Sequence, residues 1–247
     1  MNIIVFDTET TSINKPFAYN IGYIIVNAET RETLLRRDYV VEQVWQNLEL
    51  FSSSYYAEKR PIYVNRMRAR QVIQDKFGYI CRQMYRDIKT FEIENGYAYN
   101  STFDIGVFEF CCEWYKVQNP LDNIKVHDIW GFVSEFISNT EDYQFFCETN
   151  ELFTESGNYS ASAENVYKYI TRNLDFVEEH TALADSEIES EILFECIDRG
   201  AILTEDYKVQ KVLAREIEKE LVVKQGENET TFTYIKKYCK GNTIFLK

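Results

Sequence analysis

Three acidic motifs at distant points of this chain combine residue types that bind metal ions. They are residues 6–11 (FDTETT), 99–104 (YNSTFD) and 180–185 (HTALAD). Together they contribute four carboxylates and one histidine, namely Asp7, Glu9, Asp104, Asp185 and His180. Carboxylate oxygens are the ligands that Mg²⁺ and Mn²⁺ prefer, and an imidazole can take a proton from an attacking water. The combination is what metal-assisted phosphodiester cleavage requires, although any one motif alone would be weak support.

The first motif is predicted to place two carboxylates on one face of a strand. Asp7 and Glu9 are two residues apart and follow the apolar run Ile3–Phe6. Side chains at i and i+2 of a strand point to the same face, so the two charges would repel unless a cation lies between them. The alternative is that Glu9 lies beyond the end of the strand and is simply solvated.

The other two motifs each have a plain alternative interpretation. Asp104 lies at a predicted strand-to-helix transition, where an acid also interacts favourably with the helix dipole. Asn100 could serve as a turn residue or as a clamp on a nucleic-acid backbone. His180 precedes a predicted helix that carries Asp185, and we expect Asp185 to bind metal and His180 to act as the base. Alternatively, His180 is a surface histidine beside Glu178 and Glu179.

The elements that would position these motifs form an α/β pattern. Residues 3–6, 18–27 and 34–41 are rich in β-forming side chains and predict an antiparallel meander. Two further short strands, 96–100 and 125–128, each lead into a predicted helix, the first spanning 104–116 and the second ending near 138. A helix capped by Ser160 or Ser162 and another from the third motif to Arg199 complete the pattern. This predicts a mixed five-stranded sheet flanked by helices.

Three segments are harder to assign. Residues 64–88 show helical spacing and predict one long amphipathic helix, interrupted near Gly78, with arginines on its polar side. Residues 139–160 are polar and irregular. Residues 208–221 predict a charged helix, and 221–224 with 230–235 predict a hairpin. We therefore divide the chain into a domain of residues 1–200, with a basic helical insertion at about 43–95, and a small C-terminal appendage of residues 201–247.

Composition is consistent with a folded protein in a reducing compartment. The 247 residues are 45% hydrophobic and 15% aromatic, which excludes disorder as the main state. No run of about 18 apolar residues predicts a membrane span, and the N-terminus has no leader pattern, so we expect a cytoplasmic protein without a membrane partner. The six cysteines have no zinc-ligand spacing and are expected to be buried free thiols.

The three motifs together resemble those of the DnaQ-like (DEDDh) 3′-to-5′ exonucleases, the family of the bacterial proofreading epsilon subunit and ribonuclease T. All five signature positions are present, and the resemblance covers residues 1 to about 200. It implies a ribonuclease H-like fold. Ser12 stands where the family often has glycine, which affects the expected shape of the terminal-nucleotide pocket. The long insertion and the tail are similar to additions in exonucleases of phages of Gram-positive bacteria.

The resemblance also assigns roles. It implies that Asp7, Glu9 and Asp185 hold one Mg²⁺ or Mn²⁺ ion and that Asp7 and Asp104 hold a second. It implies that His180 is the general base, that Thr8 and Thr10 contact the terminal nucleotide, and that nucleoside 5′-monophosphates are the products. The expected setting is a bacterial or phage-infected cell, with a DNA polymerase or another replication protein as a partner.

Charge segregation adds a nucleic-acid hypothesis to an acidic protein of net charge −13. Residues 57–89 carry 9 basic and 3 acidic side chains, and we expect Arg66 and Arg70 to contact phosphates while Tyr55, Tyr56 and Tyr63 stack on bases. The equal alternative is that these arginines pair with the acids of residues 93–200. Single-stranded DNA is the favoured substrate. RNA or short oligonucleotides, a non-catalytic binding protein and an acidic scaffold with coincidental motifs are the alternatives.

Overall fold

The centre of the molecule is a six-stranded mixed sheet in the order β4-β3-β2-β1-β5-β6. The computed structural model describes residues 1–214, 217–225 and 228–236. The strands of the sheet are β1 (Asn2–Thr10), β2 (Ala18–Asn27), β3 (Thr33–Val41), β4 (Ile73–Asp75), β5 (Asn95–Ala98) and β6 (Lys125–Asp128). β1, β2 and β3 form the predicted antiparallel meander, and β5 and β6 join it in parallel with β1.

Helices cover both faces of the sheet. In the described residues they are α1 (Glu42–Gln46), α2 (Leu48–Ser52), α3 (Arg60–Arg68), α4 (Phe77–Thr90), α5 (Ser101–Tyr115), α6 (Ile129–Val133), α7 (Glu141–Asn150), α8 (Ala163–Thr171) and α9 (Ala182–Asp198). A 3₁₀ turn spans Ala57–Lys59, and a π-helical turn, Ser134–Ser138, extends α6. The fold class predicted from the sequence, a mixed sheet flanked by helices, is confirmed. None of the described helices is long and apolar enough to cross a membrane.

Alternation along β1 divides the core into two clusters. Ile4 and Phe6 belong to a cluster with α4, α5 and the helices of the insertion, whereas Ile3 and Val5 belong to a cluster with α6, α8 and α9. All four of these β1 side chains are fully shielded from water, and they reach both clusters because successive side chains of a strand point to opposite faces. The same alternation decides which helix each side chain at the end of β1 will meet.

The predicted long helix over residues 64–88 is wrong. The chain forms α3 and α4 instead, and between them β4 adds a sixth strand to the predicted five by pairing in parallel with Tyr39–Val41 at the edge of β3. Arg70, which follows the C-cap of α3, has the left-handed backbone conformation at φ 58°. Local spacing cannot reveal this pairing, since it satisfies backbone groups of a strand more than 30 residues away.

The C-terminal segment also differs from its prediction. Residues 208–214 are not helical, and residues 217–221, which were also expected to be helical, belong to a strand, β7 (Ile217–Gln225). β7 pairs antiparallel with β8 (Asn228–Lys236), which confirms the predicted hairpin. Residues 215, 216, 226, 227 and 237–247 lie outside the described residues. The division of the chain near residue 200 stays a prediction.

The predicted cap of one helix and the predicted state of the cysteines are confirmed, and one helix was not predicted. Ser162 is the N-cap of α8, and its Oγ accepts from the Asn165 N–H at 3.3 Å. The irregular region 139–160 contains α7, which the sequence did not predict. Among the described cysteines, Cys81, Cys111, Cys112, Cys147 and Cys196 are buried free thiols, as expected, and Cys239 lies outside the described residues.

The start of α9 lies unusually close to β2, and a single glycine permits this. A Cβ on Gly22 would lie 2.1 Å from the backbone nitrogen of Leu183 and 2.2 Å from the carbonyl carbon of Ala182. Gly22→Ala should therefore push α9 away from the sheet and lower the free energy of unfolding by about 2 kcal/mol or more. Denaturant unfolding measures this change.

Gly106 in α5 is the matched control. Its Cβ position has nothing within 4 Å, so Gly106→Ala should raise the free energy of unfolding by up to about 1 kcal/mol. If Gly22→Ala is as stable as the wild type, the close packing of α9 on β2 is not as described.

Candidate functional site

The end of β1 presents Asp7 and Glu9 to the face of the sheet that α9 covers. They continue the alternation of Ile3 and Val5, whereas Thr8 points to the opposite face, toward α5. Thr8 donates from Oγ1 to Oδ1 of Asp104 at 2.6 Å, and both residues are buried. The first motif is therefore in contact with the second on the face of the sheet that α5 covers.

The second motif lies where β5 passes into α5. Asn100 has the left-handed backbone conformation at φ 58°, and its N–H donates to Oδ1 of Asp128 at 2.9 Å. This turn starts α5, whose first turn carries Asp104. Asn100 thus acts as a turn residue through its backbone, and its side chain is exposed. A contact of that side chain with nucleic acid stays a prediction.

The third motif is fixed to β2 by hydrogen bonds at the beginning of α9. The Ala182 N–H donates to Oδ1 of Asn20 at 2.8 Å, and Ser186 Oγ donates to the Gly22 carbonyl at 3.2 Å. Asp185 lies between these two anchors and is buried. A ring nitrogen of His180 and carboxylate oxygens of Glu9 and Asp185 all lie within 4.8 Å of one another.

Burial and mutual repulsion dominate the electrostatics of the four carboxylates. Burial raises the pKa of Glu9 to about 8, of Asp104 to about 7 and of Asp185 to about 9. Burial also raises the pKa of Asp7 well above its ordinary value, and the charges of Asp104, Glu189, Glu9 and Asp185 add to the effect. Four ionised carboxylates cannot share this volume without a source of positive charge.

The donor set fits hard divalent cations. Its ligand atoms are carboxylate oxygens, which suit Mg²⁺ and Mn²⁺. Oδ1 of Asp185 is buried and has no hydrogen-bond partner within residues 1–214. An unpaired buried carboxylate oxygen is costly unless a ligand satisfies it. The carboxylate cluster therefore has both the charge and a free ligand atom that a cation would use.

His180 lies at the entrance to this cluster in a strained backbone conformation. Its φ is 52°, which is uncommon for a residue with a side chain, and its ring stacks on Tyr56 with centroids 4.5 Å apart. Nδ1 lies 3.7 Å from Oε2 of Glu178. Burial and the charge of Lys59 lower the pKa of His180, so the imidazole is neutral at neutral pH and able to accept a proton.

Two acids of the site were missed by sequence reasoning. Glu189 is buried, and its Oε2 accepts the Tyr99 N–H at 3.3 Å. Burial and the charges of Asp104 and Asp185 raise its pKa well above the ordinary value. The spacing of four residues from Asp185 on one helix was a readable signal. Glu178, whose pKa burial raises to about 7, was considered only as a neighbour of His180.

The insertion contacts the loop before α9 through Arg66, which the sequence analysis expected to contact phosphates. Arg66 donates to Oε1 of Glu179 at 2.6 Å and to Oγ1 of Thr181 at 3.1 Å, and it lies 3.7 Å from Oδ2 of Asp38. These contacts agree with the alternative in which the arginines pair with acids. Arg70 is exposed, and Thr10 lies at the end of β1 just after a register shift in its pairing with β2.

The tyrosines proposed to stack on bases have different surroundings. Tyr55 is 84% exposed and is available for such a contact. Tyr56 is occupied by His180. Tyr63 is fully buried and donates from its hydroxyl to Oδ1 of Asn20 at 2.9 Å, so it cannot stack on a base. Its expected role is wrong because the insertion folds onto the sheet.

Comparison with known proteins identifies similar folds only among solved structures. No family model matches the chain, and no curated protein sequence matches it. The nuclease domain of 3′hExo, a DEDDh family member solved with bound rAMP, matches with a TM-score of 0.55 and 13% identity over 82% of this chain and 94% of that one. E. coli Exonuclease I in complex with a dA16 oligonucleotide matches with a TM-score of 0.48 and 12% identity, over 81% of this chain and 41% of that one.

The raised pKa values of the carboxylates predict how stability depends on pH when metal is removed. Glu9 and Asp185 ionise near pH 4 in an unfolded chain but near pH 8 and 9 in the folded one. Their contribution to stability is therefore complete below about pH 4 and is lost as the pH rises through 8 and 9. In EDTA the unfolding midpoint should fall between pH 5 and pH 9.

Substitution of one carboxylate tests whether repulsion among the buried acids causes this pH dependence. Asp7→Asn should raise the midpoint in EDTA at pH 8 by about 2–4 °C for each kcal/mol of repulsion that it relieves. The exposed Asp122 provides the control Asp122→Asn, which should leave the midpoint unchanged. A midpoint that does not vary with pH, or an Asp7→Asn protein less stable than wild type, would contradict the repulsion.

Proposed function

We propose that this chain is a metal-dependent 3′-to-5′ exonuclease that hydrolyses phosphodiester bonds at the 3′ ends of single-stranded or frayed DNA and releases nucleoside 5′-monophosphates. One observation carries the proposal. Side chains from three distant segments, Asp7 with Glu9, Asp104, and His180 with Asp185, converge at the end of β1 in a fold similar to a DEDDh nuclease domain. A structural role does not require four acids to be buried together.

We base the division of labour on the resemblance to the DEDDh exonucleases, and the repulsion from Asp104, Glu9 and Asp185 that raises the pKa of Asp7 supports it. Asp7, Glu9 and Asp185 would hold one divalent cation, and Asp7 with Asp104 a second. Bound there, Mg²⁺ or Mn²⁺ would supply positive charge to the phosphodiester group and favour deprotonation of the attacking water. Thr8 fixes the orientation of Asp104 through its hydroxyl, and Tyr19 lies 3.4 Å from Oε2 of Glu9 and orients that carboxylate.

His180 is proposed as the general base. Its lowered pKa keeps the ring neutral, so it can take the proton of the attacking water. The ring nitrogen near Glu9 and Asp185 is within reach of a water lying between these groups. The Tyr56 ring and the backbone hydrogen bonds of α9 hold the imidazole at the edge of the carboxylate cluster.

Nucleic-acid contacts outside the cluster are proposed for Thr10, the Asn100 side chain and Arg70, which are accessible. Arg66 is engaged with Glu179, Thr181 and Asp38, so we assign it to the support of the loop that carries His180.

Arg70→Gln should weaken single-strand binding and reduce its dependence on salt. If the affinity and its dependence on salt concentration are both unchanged, Arg70 does not contact the nucleic acid.

Association with a DNA polymerase or another replication protein, and a cytoplasmic location, stay predictions.

A product assay tests the proposed function. Single-stranded DNA and RNA of one sequence, each labelled at the 5′ or the 3′ end, are incubated with the protein in Mg²⁺ or Mn²⁺. The proposal predicts a metal-dependent ladder of shortened 5′-labelled strands and release of a labelled mononucleotide from 3′-labelled strands. Asp7→Ala and His180→Ala should each lower the rate by at least about 100-fold, because each removes a group that acts in the reaction.

His127 provides a matched control for the histidine substitution. It is buried on β6 against the Tyr97 ring, and its Nε2 pairs with Oδ1 of Asn95 at 3.0 Å. His127→Gln should retain cleavage where the protein folds. A protein that binds Mn²⁺ but cuts neither polymer would contradict the exonuclease proposal. Preferential cleavage of RNA would show that RNA, and not DNA, is the substrate.

A further inference from the structure

One cation of the insertion lies beside the candidate catalytic groups, and no sequence motif points to it. Lys59 ends the 3₁₀ turn between α2 and α3, and its ammonium donates a hydrogen bond to the backbone carbonyl of Glu179, next to His180. The same ammonium lies 4.6 Å from the ring centroid of Tyr56. Since the Tyr56 ring also stacks on His180, one aromatic side chain contacts both the cation and the proposed base.

The charge of Lys59 reaches the carboxylate cluster. It opposes the effect of burial and lowers the pKa values of Glu9 and Asp185. It acts in the same direction on the pKa values of Glu178 and His180. Lys59 is therefore electrostatically coupled to the metal side of the site and to the base at once.

This ammonium has little else to bind. A lysine offers three N–H donors, and in the described part of the chain the Glu179 carbonyl is the acceptor that it uses. No carboxylate of residues 1–214 lies within 4.0 Å of it, although other lysines of the protein have such partners: Lys125 pairs with Asp206 and Lys168 with Glu164, both within 2.7 Å. A partly buried cation beside a cluster of acids, yet without an ion pair, has capacity for an anionic ligand.

We propose that Lys59 binds the phosphate group of the terminal nucleotide and that Tyr56 is the positioning residue that keeps the ammonium and His180 side by side. The proposal rests on the proposed function. A phosphodiester entering a cluster of carboxylates needs more positive charge nearby, and an ammonium fixed at the rim supplies it without taking a ligand position. On this account the insertion completes the site.

Binding of a mononucleotide tests the proposal without requiring catalysis. The probes are dTMP, which carries the phosphate, and thymidine, which lacks it, each titrated calorimetrically into protein with saturating Mn²⁺. Lys59→Met removes the charge but keeps most of the length of the side chain. It should weaken dTMP binding by about tenfold or more and leave thymidine binding unchanged, because only dTMP presents the anion. Lys59→Arg should retain most of the dTMP affinity.

The matched control is Lys76→Met. Lys76 belongs to the same insertion, is exposed and precedes α4. Its substitution therefore removes one positive charge, as Lys59→Met does, but at a distance from the site. It should leave the affinities for dTMP, thymidine and Mn²⁺ unchanged. Tyr56→Leu removes the aromatic ring that contacts Lys59 and His180. It should lower kcat for strand cleavage with little effect on Mn²⁺ affinity. Tyr56→Phe keeps the ring and should restore kcat.

Mn²⁺ affinity separates phosphate binding from a merely structural role. Removal of a positive charge beside Glu9 and Asp185 should leave Mn²⁺ binding equal or tighter, whereas collapse of the site would weaken it. Lys59→Met with unchanged dTMP affinity, or with equal losses for dTMP, thymidine and Mn²⁺, overturns the inference while wild-type cleavage still supports the proposed function. A wild type that binds Mn²⁺ but neither binds dTMP nor cleaves DNA overturns both.

Discussion

The burial of several like charges in one place is the constraint on which the rest of this structure depends. Asp7, Glu9, Asp104, Asp185 and Glu189 all lie at the end of β1, and burial together with their mutual repulsion raises their pKa values. An apolar or hydrogen-bonded cluster of the same size would be more stable. Proteins retain such costly arrangements at functional sites, and the function that we propose for these acids is the binding of divalent cations.

The surrounding elements resist this repulsion by holding each acid from a different direction. Thr8 on β1 binds Asp104, and the backbone of Tyr99, just after β5, binds Glu189. The 3₁₀ turn of the insertion places Lys59 beside the cluster. Asn20 joins these supports, since its side chain binds Asp38, the Tyr39 carbonyl, the Tyr63 hydroxyl and the start of α9. Because Asn20 is fully buried, the position of α9 is tied to β2, β3 and α3 together.

The sequence was informative wherever the signal was local or repeated along the chain. An apolar run predicted β1 and a run of β-forming residues predicted β2, and the i, i+2 spacing placed Asp7 and Glu9 on one face, where α9 now covers them. The same logic could have revealed Glu189, one helical turn after Asp185. Contacts between distant segments could not be predicted in this way. Nothing near Lys59 in the sequence indicates that it meets Glu179, 120 residues later.

The errors have a similar origin. Residues 64–88 have helical periodicity, but the segment that becomes β4 gains more by pairing with an unpaired edge of β3 than by continuing a helix. Residues 217–221 (IEKEL) have apolar residues four positions apart, as in a helix, but pairing with β8 makes them part of a strand. In both cases tertiary pairing of backbone groups overrides local preference.

The central claim, that the buried acids form a two-cation site, is tested most directly by diffraction from crystals grown with Mn²⁺ and measured at the manganese absorption edge. The account predicts two anomalous peaks, one among Asp7, Glu9 and Asp185 and one between Asp7 and Asp104. Glu164, Glu178 and His180 form a second group whose potential ligand atoms lie within 4.8 Å of one another. A peak at that group would contradict the account, because His180 would then be a metal ligand and not the base. Absence of a peak at the end of β1 would also contradict it, because the buried acids would then bind no cation.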